Sequence, residues 1–216
     1  MARVHAPVVV TVAALLAVAG CAREPGTAAT QVSPARTTSC SYPAEGTPAR
    51  AADPPQAADI SAAGTATVTM SLDSSTIVLR LDRSGAPCAV NSFIHLAEQG
   101  YFNGTRCHRL SVTTAFYLEC GDPTGTGTGG PGYRFAAELD GDATYPAGTV
   151  AMATSQGRNG SQFFIVTEDS DMPPRYTVIG TVDQAGLTAV RTVADKGAGA
   201  DGRPRDRAEL GSATMG

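Results

Sequence analysis

The chain has 216 residues and a mass of 22.0 kDa, with 24 glycines, 14 prolines and only 17% charged residues, a turn-rich composition that argues against a helical bundle. The formal net charge of -4 and the absence of a lysine or arginine cluster argue against a nucleic-acid-binding surface. Three histidines leave little for a metal site built from histidine, and we expect no metal.

Residues 1–20 have the pattern of an export signal peptide. Arg3 is followed by an apolar run, Val8–Ala19, which is too short to span a membrane core of ~30 Å, so a transmembrane helix is the weaker interpretation. The run ends in Val-Ala-Gly-Cys21, which resembles the lipobox of bacterial lipoproteins. The resemblance implies a protein anchored through lipid-modified Cys21 to the outer face of the bacterial cell membrane. The alternative is an ordinary secretory leader in which Cys21 has no role.

Residues 21–62 are rich in alanine, proline, threonine and serine and show no apolar periodicity. Such a segment cannot bury enough surface to offset the entropy of ordering it. The sequence therefore predicts a semi-extended tether over 21–62 and a folded domain over 63–216. Within the tether, Cys40 and Tyr42 suggest local docking on the domain.

Four cysteines remain after Cys21, and an even number in an exported chain suggests disulfides with three possible connectivities. Two of them lie symmetrically about Thr113–Thr114, where a hairpin turn is predicted, so they could face each other across two strands. This favours the pairs Cys107–Cys120 and Cys40–Cys88. Four buried free thiols are the alternative.

The domain begins with a predicted hairpin and a helix. Residues 65–72 and 76–81 alternate apolar and polar side chains on either side of a turn. Residues 86–99 predict a helix, because Pro87 suits its first turn, Gly100 suits its C-terminal cap, and apolar residues recur at helical spacing.

Short strands follow, then a second helix over 183–194 and a last, weak strand over 207–214. The strands are predicted at 105–110, 116–120, 149–153, 162–167 and 177–182. Many short strands with one early and one late helix predict a mainly β fold, a closed antiparallel barrel capped by two helices.

Two motifs in the domain point to chemistries that the rest of the sequence excludes. The glycine-rich run over 120–133 ends in Pro-Gly-Tyr133 with no lysine, unlike a phosphate-binding loop. Ser155 stands in a faint nucleophile-elbow pattern, but a serine hydrolase of that order needs a later histidine and the last one is His108.

Three segments together carry a family resemblance: Cys-His-Arg109-Leu, the stretch from Phe116 through the glycine-rich run, and Met152-Ala-Thr-Ser-Gln-Gly-Arg-Asn-Gly-Ser-Gln-Phe-Phe-Ile-Val. In order and spacing they resemble the cyclophilin family of peptidyl-prolyl cis-trans isomerases, over about residues 64–210. The resemblance implies an eight-stranded barrel with two capping helices. It also implies an isomerase that acts on proline-containing segments without a cofactor; together with the leader, this predicts substrates among exported proteins, and we expect a monomer.

The implied chemistry needs one fixed positive charge. Rotation about an X-Pro bond must cross about 18–20 kcal/mol of lost amide resonance, and no covalent bond breaks. The twisted amide moves electron density onto the prolyl nitrogen, so a cationic donor beside it stabilises the transition state. Arginine keeps its charge and presents a rigid fork, and the resemblance assigns this role to Arg109. Without the surrounding motifs, a surface arginine in an ion pair would be the better interpretation.

The resemblance also implies a proline pocket and a peptide-binding edge. It places the pocket walls and floor at Phe116, Phe164 and Met172, and the residues along the peptide at Ala153, Thr154, Gln162 and Tyr176. His108 is interpreted as structural.

The rim departs from the family pattern at four positions. Tyr117 stands for a usual methionine, Glu119 for a glutamine, Thr154 for an asparagine and Asp171 for a tryptophan. Glu119 could pair with Arg109 and either orient it or blunt its charge. The altered rim keeps a second hypothesis open, a peptide-binding chaperone module with little turnover. A structural envelope protein is a third and weaker one.

Overall fold

The structure is a computed structural model that describes residues 1–2 and 36–216. The predicted signal peptide beyond its first two residues, the lipidation site at Cys21 and the tether up to residue 35 lie outside the described residues. Within 36–216, no helix combines the length and apolarity needed to cross a membrane.

Over the described residues the chain forms strands of two to eight residues and two helices of twelve. In chain order these are β1 Thr37–Thr38, β2 Ile60–Ser61, β3 Thr65–Leu72, β4 Ser75–Asp82, α1 Pro87–Glu98, β5 Thr105–Arg106, β6 Arg109–Val112, β7 Phe116–Cys120, β8 Phe135–Ala136, β9 Thr149–Met152, β10 Arg158–Asn159, β11 Phe163–Val166, β12 Val178–Val182, α2 Gln184–Asp195 and β13 Glu209–Met215.

Nine of these strands form one curled antiparallel sheet in the order β5-β13-β3-β4-β12-β9-β11-β7-β6. Its two edge strands are consecutive in the chain and are joined by only Cys107 and His108, so the sheet curls until its edges approach each other. No ladder links β5 to β6 among the described strands, and the predicted closed eight-stranded barrel is not confirmed. The mainly β fold with two helices is confirmed.

The predicted elements of the domain are present with small shifts of their ends. The hairpin forms as β3 and β4, paired in register from Thr65 opposite Asp82 to Leu72 opposite Ser75. The predicted strand over 105–110 is in fact two strands, because the chain passes between the two sheet edges at Cys107 and His108. The short strands β1, β2, β8 and β10 were not predicted, since two-residue strands carry no readable periodicity.

The core lies between the inner face of the sheet and the two helices. It includes three buried aromatic rings in mutual contact, with Phe93 of α1 at 5.0 Å from both Phe102 and Phe163, measured between ring centroids. At the start of α2, the carboxylate of Asp183 accepts from the N–H of Gly186 at 2.9 Å and from the N–H of Val78 at 3.2 Å. This cap fixes the helix to β4.

Two disulfides hold the fold, and they are the two pairs that the sequence favours. Cys107 and Cys120 are bonded beside the hairpin of β6 and β7, and Cys40 and Cys88 link the N-terminal segment to α1. The alternative of four free thiols does not apply to this structure.

The described part of the predicted tether, residues 36–62, is not a free segment but belongs to the same compact unit as the domain. β1 pairs with β2, and the buried Tyr42 donates from its hydroxyl to the carbonyl of Cys88 at 2.9 Å. Arg50 donates to three carbonyls after α1, those of Gly100, Tyr101 and Asn103, at 3.2, 2.8 and 2.6 Å. The compact unit of this structure therefore includes residues before the predicted boundary at 63, where side-chain and backbone hydrogen bonds supply the stability that apolar periodicity does not.

Replacing Arg50 with methionine tests whether this segment stabilises the domain. We expect Arg50→Met to lower the free energy of unfolding by about 1.5–3 kcal/mol, the range for hydrogen bonds to a charged group, measured by urea denaturation. Arg36→Met, an exposed arginine of the same segment, is the matched control and should change stability by less than about 0.5 kcal/mol. Equal stability of the two variants would support a free tether instead.

Candidate functional site

The register of three neighbouring strands places the candidate residues on one face of the sheet. In β6 and β7, Arg109 lies directly opposite Glu119, and in β7 and β11, Glu119 lies opposite Phe164. Because side chains alternate along a strand, Tyr117 shares this face. The alternate residues, such as Leu118, point into the main core.

These side chains line a groove with a volume of about 570 Å³. Eight of the residues singled out from the sequence lie along it: Arg109, Tyr117, Glu119, Ala153, Thr154, Gln162, Phe164 and Tyr176. The remaining lining comes from the glycine-rich segment Gly127–Arg134, from Ser155, Gly160 and Ser161, and from the N-terminal residues Glu45, Gly46 and Thr47.

The floor of the groove is an aromatic cluster separate from the main core. Buried Phe164 lies at its centre, with its ring centroid 5.1 Å from that of Tyr117 and 5.2 Å from that of Tyr176. Tyr145 supports Tyr176 by accepting from its N–H at 3.1 Å and donating to its carbonyl at 3.3 Å. The groove therefore has an apolar floor that its own hydrogen bonds hold in place.

Two residues expected in the proline pocket do not line the groove. Phe116 lies two positions before Leu118 in β7, so strand alternation places it on the face opposite Tyr117. Its backbone is tied at both ends, with its N–H donating to Ser170 Oγ at 2.9 Å and its carbonyl accepting from Thr167. Met172 packs against the floor cluster from outside the groove lining. Met172 thus contacts the floor cluster that contains Phe164, and the pocket roles of Phe116 and Met172 stay predictions.

Arg109 presents its guanidinium to the groove. Its Cζ lies 5.7 Å from the centroid of the Tyr117 ring, a cation–π distance. Within residues 36–216 its side chain makes no salt bridge and donates no side-chain hydrogen bond. The charge is therefore available to a molecule in the groove.

Glu119 does not pair with Arg109, although the two residues lie opposite each other. Its Oε1 is 3.6 Å from Nε2 of His108, a buried histidine for whose ring nitrogens no hydrogen-bond partner is present among the described residues. The His108 ring lies against the glycine-rich loop, where a Cβ at Gly127 would come within 3.1 Å of it. Glu119 is thus directed towards His108.

The edge of the groove is fixed by hydrogen bonds that its side chains make. The hydroxyl of Thr154 donates to Oδ1 of buried Asn159 at 2.7 Å, and Asn159 in turn donates to Thr177 at 3.0 Å. Gln162 donates from Nε2 to the carbonyl of Gly129 at 2.8 Å. Gln162, directly before β11, thereby connects the start of this strand to the glycine-rich segment.

The glycine-rich loop is folded around a buried carboxylate, which the sequence analysis missed. Oδ2 of Asp122 accepts from the backbone N–H groups of four successive residues, Thr126 at 3.1 Å, Gly127 at 2.7 Å, Thr128 at 3.1 Å and Gly129 at 3.1 Å. A Cβ at Gly129 would lie 2.0 Å from Oδ1 of Asp122, so glycine is required there. An aspartate at the start of a run of alternating threonine and glycine is the signal that could have predicted this arrangement.

The same hydrogen bonds determine the ionisation of Asp122. Burial raises its pKa, but the hydrogen bonds from Thr124, Gly129 and Gly127 outweigh burial and leave the pKa lowered from the usual 3.8. Asp122 therefore carries a charge at neutral pH that the loop amides stabilise. Over residues 36–216 no three His, Cys, Asp or Glu side chains are grouped as metal ligands would be.

A cleft with an apolar floor, an exposed guanidinium and a polar edge, mounted on a curled antiparallel sheet, defines a domain that can accept an extended polypeptide. The family model described as cyclophilin type peptidyl-prolyl cis-trans isomerase matches residues 67–215. The chain belongs to this family.

Curated relatives agree with this assignment. The probable peptidyl-prolyl cis-trans isomerase B of Mycobacterium tuberculosis is 43% identical over 165 residues, which cover 68% of this chain and 54% of the relative. The protein of the same name from Mycobacterium leprae is 41% identical over 184 residues, covering 76% of this chain and 62% of the relative. The chain thus spans little more than half the length of these relatives.

Solved structures resemble the fold. The crystal structure of a cyclophilin type peptidyl-prolyl cis-trans isomerase from Cryptosporidium parvum matches with a TM-score of 0.63 and 26% identity, covering 71% of this chain and 98% of that one. A second structure of that protein, in the presence of the dipeptide Ala-Pro, matches with a TM-score of 0.61 and 26% identity over 69% of this chain and 98% of that one.

Removing the charge of Asp122 tests its role in the loop. Because the folded-state pKa is lowered, the stabilisation is present above the usual pKa and is lost as pH falls through the folded-state value. We expect Asp122→Asn to lower the free energy of unfolding at pH 7 by about 1.5–3 kcal/mol, since the new amide hydrogens face N–H donors. The difference from the wild-type chain should shrink below about pH 4.

Urea denaturation between pH 3 and pH 7 measures both effects. Asp206→Asn, at an exposed position, is the control and should leave stability nearly unchanged. A deficit of Asp122→Asn that is the same at pH 3 and pH 7 would contradict the charge-based explanation.

Proposed function

We propose that the chain is a peptidyl-prolyl cis-trans isomerase that acts on X-Pro bonds of exported or unfolded polypeptides, with Arg109 as the catalytic residue. The observation that carries the proposal is that the guanidinium of Arg109, which has no ion-pair partner among residues 36–216, shares one groove with the apolar floor at Phe164, and the ring of Tyr117 lies between them. Family membership supports the reaction class.

The reaction follows from this arrangement. The proline ring enters the apolar part of the groove at Phe164, and the amide before it rotates while the ring is held. As the amide twists, its nitrogen becomes pyramidal and gains electron density. The Arg109 guanidinium donates to that nitrogen and stabilises the twisted state more than either planar state. Because no bond is broken, the groove needs no nucleophile.

The polar edge holds the chain on either side of the proline. Ala153, Thr154 and Gln162 lie along the same groove, and the hydrogen bonds of Thr154 to Asn159 and of Gln162 to Gly129 keep these side chains fixed. A peptide backbone bound there is oriented before rotation begins, which reduces the entropy lost at the transition state.

We also propose that the protein works outside the cytoplasm, anchored through a lipid on Cys21. The Val-Ala-Gly-Cys21 ending of the leader and the two disulfides support this, because disulfides persist in oxidising compartments. Its substrates would then be exported chains.

The second candidate, a peptide-binding chaperone module, is supported by the altered rim. Tyr117 places an aromatic ring at 5.7 Å from the guanidinium, and Glu119 lies on the strand directly opposite Arg109. Both features lower the positive potential that reaches the amide. A groove of this kind could hold proline peptides with little rate enhancement.

Arg109→Ala tests the proposed mechanism. Removing one donor that stabilises transition-state charge costs about 10²–10³ in rate, and we expect a loss of this size in kcat/KM. The assay follows cis-trans exchange of an Ala-Pro peptide by NMR or by coupled proteolysis. Arg106→Ala removes an exposed arginine of β5 that does not line the groove; it is the control and should retain wild-type activity.

Wild-type activity that survives in Arg109→Ala would contradict the role of the guanidinium. Proline-dependent binding by the wild-type chain without any rate enhancement would favour the chaperone module instead.

The lipid anchor has its own test. Expressed in an actinobacterial host with a labelled fatty acid, the wild-type chain should carry the label and fractionate with membranes, whereas Cys21→Ser should carry none. Label on Cys21→Ser, or a wild-type chain released without label, would contradict the anchor.

A further inference from the structure

A short N-terminal segment, Pro43–Arg50, runs along one side of the groove, and we call it the strap. It pairs with the glycine-rich segment through backbone hydrogen bonds: Glu45 N–H to Gly132 at 2.9 Å, Ala49 N–H to Gly130 at 2.8 Å, and Arg134 N–H to Pro43 at 3.1 Å. The strap lies outside residues 67–215, which the family model matches. It nevertheless contributes Glu45, Gly46 and Thr47 to the groove lining.

The strap fits because the segment beneath it has no side chains in its path. Gly132 has a φ of +83°, and a Cβ there would come within 3.0 Å of Cδ of Pro48. A Cβ at Gly129 would come within 2.9 Å of the Cβ of Ala49. The absence of a side chain at Gly129 therefore leaves room for both the Asp122 carboxylate and the strap, and at Gly132 it leaves room for the strap.

The strap also sets the charge of this wall. Two guanidinium groups are fixed there by backbone carbonyls, since Arg134 donates to Ser155 and Arg158 at 2.9 Å each, and Arg158 donates to Arg134 at 3.1 Å. Glu45 forms an ion pair with Arg158, and its Oε1 lies 3.7 Å from Nη1 of Arg134. One carboxylate thus compensates part of the charge of two arginines.

The carboxylate of Glu45 is also open to the groove, with 42% of its side chain exposed. A basic side chain of a bound peptide can approach it directly. An acidic side chain meets like charge, and it must compete with Glu45 for the two guanidinium groups.

We propose that the strap is a specificity-determining wall of the substrate groove, through which Glu45 selects proline-containing peptides with a basic or neutral side chain near the proline over those with an acidic one. This inference rests on the proposed function, because the selected ligand is the substrate of the same groove. The occupant is a polypeptide segment, and its discriminating feature is the charge of a residue flanking the X-Pro bond.

The test compares the wild-type chain with Glu45→Gln over a set of Ala-Pro peptides. Each peptide carries lysine or glutamate at one flanking position, and the ratio of kcat/KM for the lysine and glutamate forms is measured. We expect Glu45→Gln to lower this lysine-to-glutamate ratio by about two- to fivefold at one flanking position, which is the size of an exposed charge interaction. Asp53→Asn removes one negative charge from the same N-terminal segment outside the groove and should leave the ratio unchanged.

Salt distinguishes charge selection from a structural effect. At about 1 M sodium chloride the Debye length is about 3 Å, and charge interactions at the surface are screened. The lysine-to-glutamate ratios of Glu45→Gln and the wild-type chain should then become nearly equal. A ratio equal in the wild-type chain and Glu45→Gln, an equal shift in Asp53→Asn, or a shift that salt leaves intact would each overturn the proposal.

The proposed function can fail separately from this inference. If the wild-type chain shows no turnover, the isomerase proposal fails, and the same ratio is then measured as peptide Kd by NMR titration. A charge-dependent shift in Kd would support the strap as a selective wall of a binding groove, and an unchanged Kd ratio would overturn it.

Discussion

The candidate site depends on the register between β6, β7 and β11. Opposed pairs at Arg109–Glu119 and Glu119–Phe164 bring a charged side chain and an apolar ring to the same face of the sheet. A slip of one residue would turn each side chain to the other face and would place the guanidinium in the core. The disulfide between Cys107 and Cys120 lies beside this pairing, and the core contacts of Leu110 and Leu118 hold it from within.

Local patterns in the sequence predict the elements, but they do not specify how distant segments meet. The hairpin of β3 and β4 follows from alternation and a turn, and both are contained in 18 consecutive residues. Phe116 illustrates the limit, because a motif assigns a position in the chain, whereas strand alternation decides the face. Closure of the sheet could not be predicted either, since it depends on how far the curl brings β5 towards β6.

For the N-terminal segment the sequence predicted docking only at Cys40 and Tyr42, and the extent of its packing could not be predicted for a different physical reason. Its composition is that of a linker, and its hydrogen bonds go to residues far along the chain, such as those of Arg50 to the turn after α1. Polar bonding of this kind leaves no periodic apolar signal. The glycine-rich run was likewise informative only in part: the sequence excluded a phosphate loop, but the buried Asp122 that organises it emerges only in three dimensions.

The groove keeps a positive charge available although a carboxylate lies on the opposing strand. If Glu119 accepted two hydrogen bonds from Arg109 in a bidentate ion pair, the guanidinium would have fewer donors left for a rotating amide. In the structure the carboxylate is directed towards His108 instead, and the Arg109 guanidinium lies near the ring of Tyr117, with its in-plane donors bonded to none of the described residues. His108 is itself held against the glycine-rich loop at Gly127. The loop that Asp122 organises therefore supports, through His108, the separation of Glu119 from Arg109 on which the proposed mechanism depends.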